Sequence, residues 1–120
     1  MTETMTISNT GGMKGEKPSR FDLIPVKALT ALAEHYGKLG GDGTPGTQKY
    51  DARNWELGFE FHKSYAAAIR HLTEFWAGND IDSPSSSHHL IAAAWHCLTL
   101  YTFATNELYA NLDDRPRRDE

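Results

Sequence analysis

Residues 87–110 carry apolar side chains on two sides of a helix, and no other feature restricts the fold as much. One stripe is Leu90, Ile91, Ala94, Trp95, Leu98, Tyr101 and Thr105. The other side holds His89, Ala93, His96, Cys97 and Leu100. A helix apolar on two sides needs neighbours on both, so this one belongs at the centre of a bundle. The serines at 85–87 offer its N-cap. No segment shows the period-two alternation of a strand. The expectation is an all-α fold, a small bundle of about three main helices.

Two further helices fit around that centre. The first starts near Pro25, a residue suited to a first turn, and ends before Gly37, with Val26, Leu29, Leu32 and Ala33 as its stripe. The second runs from about Gly58 to Trp76 and ends at Gly78. Its Phe61, Tyr65, Ala68, Ile69, Leu72, Phe75 and Trp76 fall within an arc of roughly 120°. Residues 37–48 hold five glycines and one proline and read as a loop. Residues 79–87 read as a polar loop. The chain thus divides into a flexible polar leader at 1–19, one helical domain at 20–110 and a charged tail at 111–120.

With 120 residues and only 39% hydrophobic, the core is thin, and pairing with a second copy would enlarge it. A homo-oligomer is therefore expected. The formal charge of −4 lacks the basic field that holds a nucleic-acid backbone, although a single nucleotide needs only a few cations. Cys97 is the only cysteine, and residues 1–20 lack the apolar segment of a signal peptide. The apolar stretch Leu90–Phe103 is too short to span a bilayer. A cytoplasmic protein with no membrane partner and no nucleic-acid polymer is expected.

Several residues carry possible chemistry. His71 and Glu74, three apart, project from one helix face beside the apolar stripe, as metal ligands do in bundles. Asp80 and Asp82 offer oxygen donors in the following loop. His88 and His89 open the third helix, and His96 lies two turns after His89 on the same face. His96 reads best as a satisfied core residue. Lys14, Lys17, Arg20, Lys49, Arg53 and Arg70 could neutralise phosphates, and Tyr50 or Trp55 could stack on a base. For each of these the plainer alternative is a solvated charge or an ordinary core aromatic. No Walker loop and no zinc-ligand cysteine pairs are present.

The order of the segments carries more than any one of them. The run Gly12-Met13-Lys14-Gly15-Glu16-Lys17-Pro18-Ser19-Arg20-Phe21-Asp22-Leu23-Ile24-Pro25 is followed by Ala28-Leu29 and Tyr36-Gly37. Then come Lys49-Tyr50 with Asn54-Trp55, Arg70-His71, Gly78, Asp80-Ile81-Asp82 and His89-Leu90. Over about residues 11–104 this resembles the phage dATP/dGTP diphosphohydrolase family, which is MazG-like. The resemblance implies an all-α fold. It also implies metal-dependent hydrolysis of a purine deoxynucleoside triphosphate to monophosphate and pyrophosphate, in the cytoplasm of an infected bacterium. It implies Mg2+ or Mn2+ held by His71, Glu74, Asp82 and His89, with Glu74 and His71 catalytic. It implies substrate contacts from Lys14, Lys17, Arg20, Lys49, Tyr50, Asn54, Trp55, Arg70 and His89. The chain departs from the pattern at Asn79, Pro84, Ser86 and Ala92. Those departures keep two alternatives open: a non-catalytic nucleotide binder and a structural helical oligomer.

Overall fold

The structure is a computed structural model that describes residues 4–38 and 53–117. The main body is three helices: α1 (Val26–Lys38), α2 (Phe61–Trp76) and α3 (His89–Ala104). The all-α expectation holds, and α3 is central, packed on both α1 and α2. Among the described residues no helix is long and apolar enough to cross a membrane.

The faces that pack differ from the apolar stripes read in the sequence. On α1, Val26 and Leu29 are exposed, and the side turned to α3 is Ala31, Leu32, His35 and Tyr36. On α2 the buried residues are Phe61, Ser64, Ala68 and His71, whereas Tyr65, Ile69, Leu72 and Trp76 point outward. On α3, His89, Ala92, Ala93, Trp95, Thr99 and Phe103 are buried, and Leu90, Leu98 and Tyr101 are not. Small residues at Ser64, Ala68, Ala92 and Ala93 account for the rotation. They let α2 and α3 approach closely, which a face of Ile, Leu and Tyr would prevent.

Two antiparallel hairpins also form, a correction to the expectation of no strand. The first pairs β1 (Thr4–Ile7) with β2 (Met13–Glu16) inside the segment expected to be a flexible leader. Gly11, at φ +89°, closes its turn and donates its N–H to the Ser8 carbonyl at 2.8 Å. The second pairs β3 (Ile81–Asp82) with β4 (Ser87–His88) where a polar loop was expected. Four residues between strands this short are held by local bonds rather than by apolar alternation, so the period-two test could not find them.

The apolar core lies at the amino-terminal end of α2. Phe61, Phe103 and Tyr109 are buried there, with Trp55, Phe59, Leu100 and Leu112 against them. The third helix ends at Ala104 rather than 110. Asn106 then accepts the Leu108 N–H and caps a 3-10 turn at Glu107–Leu112. That turn brings Tyr109 inward, where its hydroxyl donates to the Glu56 carbonyl at 2.7 Å. Further on, Asp114 Oδ1 accepts the His62 N–H at 3.0 Å, and Asp114 Oδ2 pairs with the His62 ring. An α2 terminus with no cap from Glu60 is thus capped from the other end of the domain.

Gly58 makes the approach to this core possible. Its φ of +85° and ψ of 155° fall in a region open essentially to glycine alone. A Cβ there would lie 2.7 Å from Leu112 Cδ1 and 2.9 Å from Tyr109 Cδ1. Gly58→Ala is expected to cost about 2–4 kcal/mol through backbone strain and a displaced core. Urea unfolding at neutral pH checks this, and a loss below about 1 kcal/mol would contradict it.

Candidate metal centre

At the other end of α2 and α3 the interface turns polar. His71 comes from α2, His89 from the first turn of α3 and Asp82 from β3. Both histidines are 4% exposed, and Asp82 is half-buried. One donor atom from each lies within 4.8 Å of the others. The sequence reading placed His71 beside the packed face, but it lies in that face. The short β3–β4 hairpin is what carries Asp82 to it. The Asp80 carbonyl accepts the His89 N–H at 2.7 Å, and Ser86 turns the hairpin at φ +61°.

Hydrogen bonds assign the protons. An Arg70 guanidinium N–H donates to His71 Nε2 at 3.3 Å. Arginine has no acceptor, so His71 Nε2 presents its lone pair. In the neutral ring the proton is then on Nδ1, which lies 2.8 Å from His89 Nδ1 and donates to it. His89 in turn carries its proton on Nε2. Burial first, and then the Arg70 cation, hold the His71 ring below the usual imidazole range. Burial pushes the Asp82 carboxyl up, but the Ser85 hydroxyl and the nearby His71 outweigh it, and the group titrates below its ordinary value. The Ser85 hydroxyl donates to Asp82 Oδ2 at 2.7 Å, which fixes the carboxylate.

The other expected site residues are dispersed. Glu74 is half-buried and accepts from the Asn79 amide at 2.9 Å, outside the three-residue cluster. Lys14 is on β2 and Lys17 just after it, both exposed. Arg20 forms a two-point pair with Asp22. Lys49 and Tyr50 lie outside the described residues. Asn54 is exposed. Trp55 belongs to the apolar core, with Tyr36 edge-on and Phe103 tilted against it, rather than standing clear for a base. The expected N-cap of α3 at the serines also moves by one: His88 Nδ1 accepts the Leu90 N–H at 3.0 Å.

Three rings near the cluster carry more than the sequence reading gave them. His35 is buried, with Nδ1 2.6 Å from the Ser87 hydroxyl, and sits edge-on to Trp95. His96 stacks on His71 at 5.8 Å and meets the edge of Trp95 at 4.7 Å. The sequence signal was present, since His96 lies seven residues after His89. Its Nδ1 is buried and has no partner among the described residues, so His96 is not the satisfied core histidine expected. A continuous line of rings therefore runs from Trp55 through Tyr36, Trp95 and His96 to His71 and His89.

The donor set is compatible with a divalent metal: two neutral imidazoles and one anchored carboxylate. Between α1, β4 and α3, a cleft of about 190 Å³ is lined by Ala31, Glu34, Ser86, Ser87, His88 and Ile91, none of them a member of the cluster.

Burial, with the neighbouring His71, His35 and Arg70, lowers His96 from 6.5 to about 4. Below 6.5 the unfolded chain takes up a proton that the folded chain refuses until about 4. Stability is therefore complete above pH 6.5 and falls as the pH drops toward 4. The loss from this ring is on the order of 2 kcal/mol, allowing for its partial exposure. His96→Phe keeps a ring and removes the titration, so urea midpoints between pH 7 and 4 should vary less. An unchanged slope would remove His96 from the account.

The sequence matches the family described as dATP/dGTP diphosphohydrolase, N-terminal, over residues 8–115. No curated protein and no solved structure matches it.

Proposed function

The chain belongs to the dATP/dGTP diphosphohydrolase N-terminal family, and from that premise we propose that it hydrolyses purine deoxynucleoside triphosphates to monophosphate and pyrophosphate in phage nucleotide metabolism. The observation that carries the reading is the convergence of His71, Asp82 and His89 from three separate elements. These three would hold a divalent cation. Imidazole nitrogens suit Mn2+ better than Mg2+, which prefers an all-oxygen shell. When bound, the cation supplies charge neutralisation on phosphate oxygens and a more acidic bound water.

The protein groups divide the remaining work. His71 would free its Nδ1 lone pair by moving its proton to Nε2 as Arg70 leaves that nitrogen for the phosphates, and His89 would present the Nδ1 lone pair it already has. Asp82 keeps its orientation through Ser85. Glu74, one turn beyond His71, exchanges its bond to Asn79 for the proton of the attacking water. Arg70, already against His71 Nε2, neutralises charge that builds on the phosphates; Lys14, Lys17 and Arg20 are proposed for the phosphates on the strength of the family pattern alone. Lys49, Tyr50 and Asn54 are proposed for the nucleoside end on the strength of the family pattern alone.

A nucleotide needs more wall than the described cleft provides. Ligand pockets take roughly 300 Å³ or more, against about 190 Å³ here. A homo-oligomer is proposed for this reason, and because Tyr65, Ile69, Leu72 and Trp76 stand exposed on α2. A second reading, nucleotide binding without turnover, draws on one observation: His71 and His89 already satisfy each other at 2.8 Å.

The decisive measurement is pyrophosphate release from each dNTP with Mn2+ or Mg2+. Release is expected with dATP and dGTP, faster with Mn2+. Asp82→Asn is expected to lower it by about 100-fold and to weaken Mn2+ binding. Thermal stabilisation by Mn2+ and nucleotide without release would favour the second reading, and no stabilisation and no release would end both.

A further inference from the structure

Residues 5–30 are exposed throughout, Gly15 alone excepted. The β1–β2 hairpin stays exposed beside the described helices, yet a lone two-stranded hairpin is marginal in water. Its register pairs Met5 with Gly15 and Ile7 with Met13, and cross-strand partners share a face. One face is therefore Met5, Ile7 and Met13, at 59%, 70% and 65% exposure, and the other carries Thr6, Lys14 and Glu16. The hairpin is a regular element whose apolar side is left exposed among the described residues.

The same chain has a surface of matching shape. Tyr65, Ile69, Leu72 and Trp76 follow one another at spacings of four, three and four on α2. They form a straight exposed ridge about 16 Å long. Each strand of the hairpin spans about 13 Å. On α3 the exposed large apolar residues are Leu90, Leu98 and Tyr101, and the half-buried Ala94 interrupts the first two, so the run there is shorter.

We infer that the hairpin is an exchanged arm: its Met5–Ile7–Met13 face packs on the Tyr65–Ile69–Leu72–Trp76 ridge of a second copy, which returns its own arm. Arm and ridge lie on one chain, so a twofold exchange covers both on both copies and then closes. With roughly 200 Å² per large apolar side chain, these seven residues leave on the order of 900 Å² per copy in water. The reciprocal exchange covers on the order of 1,800 Å², within the roughly 1,200–2,000 Å² of stable interfaces. The inference gives a structure to the self-association proposed above and does not depend on the catalytic reading.

Sedimentation of the full chain tests it without reference to activity. Ile7→Asp and Ile69→Asp should each weaken the dimer at least tenfold. Thr6→Asp, on the polar face of the same strand, should leave it unchanged. All three positions are set by exposed side chains, and far-UV circular dichroism confirms that the helices persist. Cys97 is exposed and the only cysteine, so Cys97→Ser gives a clean background for crosslinking. There, a chain with Ile7→Cys mixed with a chain with Ile69→Cys should oxidise to a covalent heterodimer. A chain that stays monomeric at all concentrations overturns the inference. So does a dimer indifferent to Ile7→Asp, or a crosslink that forms only within a single chain carrying both cysteines.

Discussion

Two imidazoles from different helices share one proton in the interior, and the polar half of the molecule is arranged around that bond. His71 Nδ1 lies 2.8 Å from His89 Nδ1, and both rings are almost wholly buried. A neutral imidazole has one donor and one acceptor, so the pair holds only if something outside fixes the tautomers. Arg70 does this on one side by occupying His71 Nε2. Burial first, and then the Arg70 cation, disfavour the charged form of His71. The small side chains of the α2–α3 interface then follow as a necessity: rings meet across helices only if the backbones approach.

Close approach has a consequence for the remaining surface. With Ser64, Ala68, Ala92 and Ala93 in the interface, the large apolar residues of α2 are turned away from it. Much of the ordinary hydrophobic stabilisation is thus withheld, and among the described residues the cluster at Phe61, Phe103 and Tyr109 supplies the core of usual character. The line of rings from Trp55 to His89 joins that core to the polar end, so neither half can repack without the other.

The three helices were legible because periodicity and the glycine and proline punctuation agree about them. So was the central place of α3, from its two apolar sides. The packed faces were not, because a stripe rule ranks Ile69 and Leu72 above Ser64 and His71, while the structure chooses by size. The ordered segments gave His71, Glu74, Asp82 and His89 as a group, of which the structure gathers His71, Asp82 and His89. The hairpin that brings Asp82 to the histidines could not, being set by an unusual Ser86 backbone and a few local bonds. His35 carried no signal at all: its neighbour Ser87 is 52 positions away, and nothing local marks the pair.

The bond from Asp114 to the first turn of α2 bears on how the molecule is made. The cap of that helix comes from 52 residues farther along the chain. In synthesis, all of α2 is made before its cap. Its first turn must wait, with Phe61 lacking both Phe103 and Tyr109 until they emerge. The helical body is therefore completed only once residues 103–114 are made, and a nascent chain stopped short of residue 114 would carry an unfinished α2.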